Sequence, residues 1–119
     1  MAGLMEHLDN AIKKLVNGQA DHAFIRSCLT PDIDQFEFYN ALALRIAGLF
    51  LEESIAFDDA DAAINSLNVI WLDDAIKYDF PEPAYSVYLA FDAGEYSVDN
   101  QDHIELYTKP ELRRLLENS

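Results

Sequence analysis

The side chains best suited to chemistry in this chain are its carboxylates, and they are unevenly distributed. Between Ile46 and Thr108, fourteen Asp and Glu residues from Glu52 to Glu105 stand against one base, Lys77, while the rest of the chain is nearly balanced within a formal net charge of −14. Carboxylates can serve as paired general acid and base, or as oxygen ligands for calcium. They are so abundant here that finding a pair is no sign of catalysis, and Asp99, Asp102 and Glu105 lack the alternating ligands and central glycine of an EF-hand loop. His7, His22 and His103 fit neither a Glu-x-x-His nor a His-x-x-x-His metal spacing. Cys28, the single cysteine, lies six positions from His22, well round a helix from it, so it reads as a buried inert thiol and not a nucleophile. There is no serine-centred elbow and no phosphate-cradling glycine loop. No catalytic residue, no metal site and no cofactor is expected.

Charge points instead to partners. A concentrated negative field speeds encounter with cationic molecules and repels nucleic acid and anionic lipid. The two adjacent basic pairs, Lys13-Lys14 and Arg113-Arg114, sit on helical segments among acids, so the clustered cations that phosphate binding requires are missing. A basic protein partner is expected, with no nucleic acid and no membrane. The longest apolar stretch, Ile46 to Leu51, is far below the roughly 20 residues of a membrane span. Met1 to Asn10 already carries Glu6 and Asp9 without a basic region before an apolar one, so no signal peptide is visible, and the lone cysteine suits a reducing compartment. The cytoplasm is the expected location.

The elements that must position these residues are read from apolar spacing. At 119 residues and 50% hydrophobic, the chain is expected to form one globular domain, 1–119, without disulfide or metal support. Leu4, Leu8, Ile12 and Leu15 recur at helical spacing, with Gly18 closing the segment as a C′ residue. Gln19 to Leu29 is a shorter helix with Ala23, Phe24 and Cys28 turned inward. Thr30 as N-cap and Pro31 at N1 open a long helix to about Ser54, apolar nearly all round from Ala41 to Leu51, which makes it the central element. Asp58 is a candidate cap for a further helix carrying Ala60, Ile64, Leu67 and Trp71 on one face, ended near Pro81. Pro83 opens another through Tyr85, Tyr88, Leu89 and Phe91, with Gly94 as its C′ residue. Residues 94–107 read as an acidic loop. Thr108 and Glu111 form a capping box for a final helix with Leu112, Leu115 and Leu116. The fold class is therefore all-α, a compact bundle of five to six helices around a central apolar helix at about 31–54. The alternative is α+β, because Tyr85 to Phe91 is rich in strand formers and 84–91 would make a short strand.

Helix polarity divides the acids into two kinds. Asp32, Asp34, Asp58, Asp59 and Asp61 fall where helices start, where the positive end of the macrodipole favours them. Glu52, Glu53, Asp73, Asp74 and Asp92 fall at helix ends, where an exposed anion is disfavoured by roughly 0.3–1 kcal/mol. If the three central helices run up, down and up, then Glu52, Glu53 and Asp92 share one end with Asp58, Asp59 and Asp61, and Glu95, Asp99 and Asp102 emerge there too. Tyrosines are interleaved with this charge: Tyr85 and Tyr88 read as core, whereas Tyr96 and Tyr107 flank the acidic segment. Aromatic anchors within an acidic rim are how interfaces with basic proteins are built. The expected partner-binding residues are Glu52, Glu53, Asp92, Glu95, Tyr96, Asp99, Asp102 and Tyr107. Arg45 reads as one half of a structural ion pair.

In size, acidity and the run from Asp92-Ala93-Gly94-Glu95-Tyr96 through Tyr107, the chain resembles the small acidic bacterial immunity proteins that neutralise nuclease toxins, a resemblance of character over the whole chain. The resemblance implies a cytoplasmic, non-enzymatic inhibitor that covers the cationic active site of a cognate toxin domain. Two alternatives stand beside it: a general acidic adaptor or nucleic-acid mimic that regulates a basic host protein, and a small hydrolase that uses the carboxylates or a metal.

Overall fold

The computed structural model describes residues 2–19, 23–24, 27, 35–74, 82–95 and 102–118. Among them the chain is all-α, with five helices and no strand. In order these are α1 (Ala2–Val16), α2 (Gln35–Leu51), α3 (Phe57–Asp74), α4 (Ala84–Gly94) and α5 (Lys109–Glu117), the last entered through one π-helical turn, Ile104–Thr108. Ala23, Phe24 and Ser27 are helical as well, in the segment expected to be a short helix. Ala23 is exposed there, not inward, and Phe24 is half-buried beneath Lys14, whose Nζ lies 5.3 Å from the ring centre. The expected helix start at Thr30 and Pro31, Cys28, and the expected helix end near Pro81 lie outside the described residues.

α2 is the spine because its sequence offers apolar surface in nearly every direction. Phe38, Tyr39, Leu42, Ala43, Ile46, Ala47 and Phe50 are all buried, and α2 packs on each of the other four helices. α1 covers it with Leu8, Ala11, Ile12 and Leu15. Arg45, the one charge in the apolar run, reaches Asp9 on α1, Nε to Oδ1 at 3.0 Å, the structural ion pair its setting predicts. α1 closes at Gly18, whose φ of +69° lets its amide and that of Gln19 turn back onto the carbonyls of Leu15 and Lys14.

Residues 84–94 are helical, and the burial pattern shows why helix wins over strand. Ala84, Val87, Ala90 and Phe91 are buried at three-, three- and one-residue steps, a helical face, whereas a strand would have put Tyr85, Val87, Leu89 and Phe91 together. Leu89 points to solvent instead, and Tyr85 and Tyr88 are only partly buried against the core. α4 is anchored at its start by a tertiary contact, the Ala84 amide donating to Asn40 Oδ1 on α2 at 2.9 Å.

The C-terminal part corrects three expectations. Residues 102–107, expected as the end of an acidic loop, are helical, apart from Asp102 at their head. Asp102 Oδ1 accepts from the amides of Ile104 and Glu105 at 3.1 and 3.3 Å, which satisfies orphan donors of the first turn. The capping box does not form. Thr108 is already helical, so no free amide awaits its side chain, and its buried hydroxyl donates to the Ala90 carbonyl of α4 at 2.7 Å. The widened turn has a local cause in Pro110, which cannot donate a backbone hydrogen bond and whose ring would crowd the carbonyl of Leu106 in a regular α-helix. Gly94 is likewise inside α4 and not beyond it. A Cβ there would collide with Thr108 Oγ1 and lie 3.1 Å from Phe57 and 3.2 Å from Ile104, so glycine is needed for space and not for a turn.

Candidate functional site: an anionic end of the bundle

Three aromatic rings fix how the central helices meet. Phe50 at the end of α2, Phe57 at the start of α3 and Phe91 near the end of α4 pack as a triangle with centroids 5.4–5.8 Å apart. α2 and α4 therefore run in the same direction and α3 runs against them, the up, down, up order on which the charge placement depends. The end of α2, the start of α3 and the end of α4 share one end of the bundle.

Of the expected binding residues, Glu52, Glu53, Asp92 and Glu95 come together there, with Asp58, Asp59 and Asp61 beside them. Glu52, Glu53, Asp58, Asp59 and Glu95 are exposed. Glu53 occupies the left-handed position that closes α2, with φ +64°, so that the amides of Glu53 and Ser54 reach the carbonyls of Phe50 and Leu49 at 3.0 and 2.9 Å. Asp58 does not cap α3 as expected: the helix begins one residue earlier at Phe57, the Ala56 carbonyl accepts from the Ala60 amide, and Asp58 and Asp59 sit in the first turn. Asp102 is committed to its cap. Tyr107 is 52% exposed on the π-helical turn, with His103 packed edge-on to its ring at 5.2 Å. Tyr96 and Asp99 lie outside the described residues.

At the seam of α3 and α4, three carboxyl groups meet. Asn65 Nδ2 donates to the Asp61 carbonyl one turn back at 2.8 Å and to Glu95 Oε1 at 3.2 Å. Burial, then the hydrogen bond to Glu95 and its charge, push the Asp61 carboxyl from 3.8 up to about 7. Asp92 is raised for the same reasons in the same order. Glu95 is held below the usual carboxylate range, chiefly by the hydrogen bond from Asp61. Charge is thus favoured on Glu95 and disfavoured by burial on Asp61 and Asp92. One oxygen, Asp61 Oδ1, is shielded from water without a hydrogen-bond partner. Lys109 lies over the Phe50 ring at this end, its Nζ 5.8 Å from the ring centre, and is paired with Glu105 at 2.6 Å.

Asp61 and Asn65 were not among the expected site residues. Their signal was present as an i, i+4 pair on α3, and Asp92 and Glu95 as an i, i+3 pair on α4, but only the pairing of the two helices joins them. No group of three or more His, Cys, Asp or Glu among the described residues is placed to hold a metal ion, and no described helix is long and apolar enough to cross a membrane. Two surface clefts lie away from the carboxyl cluster: one of about 480 Å³ beside Asn10, Lys13, Lys14 and Phe24, the other of about 300 Å³ between α4 and α5. Neither cleft is lined by Asp61, Asp92 or Glu95; what the arrangement offers is a concentrated negative surface. Comparison with known protein families, with characterised proteins and with solved structures gives no match for this chain.

Proposed function

We propose that this chain is a non-enzymatic binding module for a basic protein, acting as immunity proteins do when they cover the cationic active site of a nuclease-type toxin. The observation that carries this reading is the convergence of Glu52, Glu53, Asp58, Asp59, Asp92 and Glu95 from three helices on one end of the bundle. Three of these acids, Glu52, Glu53 and Asp92, lie at the negative poles of helices, where each weakens the fold, and Glu53 also holds a backbone conformation that suits glycine. Folding does not account for them; attraction of a cationic surface does.

The test begins with capture from the native cell on the immobilised chain, at low salt, beside a variant carrying Glu52→Gln, Glu53→Gln, Asp58→Asn and Asp92→Asn. The wild type is expected to retain a basic protein whose association rate falls about tenfold or more between 0.05 and 0.5 M salt, and the variant to associate slowly at every salt concentration. Co-expression is expected to relieve the toxicity of that partner. A rate indifferent to salt, or a variant equal to wild type, removes the steering role, and a captured protein that is harmless alone removes the immunity role.

A further inference from the structure

The three carboxyls at the seam of α3 and α4 are tied to one another. Glu95, at the end of α4, is hydrogen-bonded to Asp61 on α3 and to Asp92 on α4, and its Oε1 accepts from Asn65 Nδ2 at 3.2 Å. Ionised carboxylates are acceptors alone, so a hydrogen bond between two carboxyl groups exists only where one of them carries a proton. The geometry is that of a cluster that retains protons. Burial acts in the same sense: Asp61 and Asp92 are only partly exposed, and Asp61 Oδ1 is shielded from water with no hydrogen-bond partner, a costly place for a charge.

No described cation offsets this arrangement. The groups that act on the Asp61 carboxyl are Asn65 on its own helix and Glu95 and Asp92 on α4, and Tyr88 of α4 faces the same three acids. α1 and α2, which also pack on α3, bring no charged group to it. Arg45, Lys109 and Arg114 are paired with Asp9, Glu105 and Glu111. Together these surroundings put Asp61 at about 7, close to neutrality. A cation brought to this end would favour the ionised carboxyls, and whatever drives protons off the cluster must itself bind more tightly as protons leave. We propose that the Asp61, Asp92 and Glu95 cluster makes recognition proton-linked: a basic partner docking at the anionic end expels protons from the cluster, and acidification restores them and releases the partner. The inference rests on the proposed function and adds its regulation. Folding and binding then respond to pH in opposite senses, because ionisation sets like charges against each other across the seam of the free protein while increasing its pull on a cation.

The probe is a decalysine peptide, whose side chains stay charged throughout the neutral range. Titration calorimetry of the full chain at about pH 7 and low salt, repeated in two buffers of unlike ionisation enthalpy, counts the protons released on binding. About half a proton per peptide is expected from wild type, with affinity rising about threefold or more between pH 6 and 8. Asp61→Asn, which keeps a donor toward Glu95, is expected to bind the peptide with less than about half the wild-type proton release and a flatter pH dependence. The three histidines are common to both proteins and cancel in the comparison. In wild type alone, the carboxyl carbon resonance of Asp61 is expected to move toward its ionised position when the peptide is added, a readout that stands even if the variant fails to fold. Binding without proton release, a variant with the wild-type proton count and pH slope, or an Asp61 resonance unmoved by bound peptide would overturn the inference and leave the proposed function standing. Failure of the proposed function has a different signature: no salt-dependent binding of the peptide at any pH, which would remove the inference as well.

Discussion

Glu53 and Asp61 show at single-residue scale what the acids cost the fold. Glu53 closes α2 with a φ of +64°, a conformation costing a residue with a side chain roughly 1–2 kcal/mol, and it does so at a negative helix pole. Glu53→Gly is therefore expected to stabilise the protein by about 0.5–1 kcal/mol, read as a higher denaturant midpoint at unchanged slope, while weakening capture of a basic partner. Asp61 couples stability to pH. Its folded value of about 7 lies above its ordinary 3.8, so its stabilising contribution is full below 3.8 and is lost as pH rises through 7. Asp92 acts with the same sign, and Glu95 with the opposite one: being lowered, it favours the fold above its ordinary 4.5 and loses that contribution as pH falls. Between about pH 4.5 and 7 the protein should thus lose thermal stability. Asp61→Asn, which keeps a donor toward Glu95, is expected to flatten that slope and raise stability at pH 8 by roughly 1 kcal/mol, allowing for screening at a partly open site. An unchanged melting profile from pH 4.5 to 8 in wild type would refute the coupling.

At the scale of elements, the joint between α4 and the π-helical turn decides the shape of the C-terminal third. Four residues interlock there: Gly94 leaves room, Thr108 fills it and bonds Ala90, and Ile104 and Phe57 close the sides. Gly94→Ala is expected to destabilise by about 1–3 kcal/mol, because its Cβ meets Thr108 Oγ1 and two packed side chains, although alanine is the better helix former. Urea unfolding measures this directly, and a stabilised variant would show that α5 is free to shift. The same joint presents Tyr107 and Leu106 to solvent, so the element that completes the core also builds the α4–α5 groove.

For the whole molecule, a net charge of −14 is a self-repulsion, and Glu52, Glu53, Asp58, Asp59, Asp92 and Glu95 gather part of it at one end of the bundle. Added salt screens it, so the melting temperature is expected to rise as sodium chloride goes from about 0.01 to 0.2 M, where a balanced protein would change little. The variant neutralised at Glu52, Glu53, Asp58 and Asp92 should melt higher at low salt and respond less to it. Equal salt responses in the two proteins would mean that this end is not the seat of the repulsion. Under the proposed function stability and recognition pull in opposite directions at this end, and the aromatic triangle of Phe50, Phe57 and Phe91 supplies burial that holds it together.

Local regularity made much of the fold readable from sequence. The stripe of Leu8, Ile12 and Leu15, the Gly18 terminus and the nearly unbroken apolar run of α2 need only helical period and chain chemistry, and so does the excess of acid between Glu52 and Glu105. The direction of the helices could be posed from sequence but not decided, because it depends on which rings meet across the core. For the same reason Asp61 and Asn65, thirty residues and more from Glu95, joined it in one cluster only when α3 and α4 were packed together. Thr108 is the sharpest case. By sequence it spells a cap, yet with Pro110 widening the turn and Gly94 opening a space, the Ala90 carbonyl on another helix becomes the better acceptor.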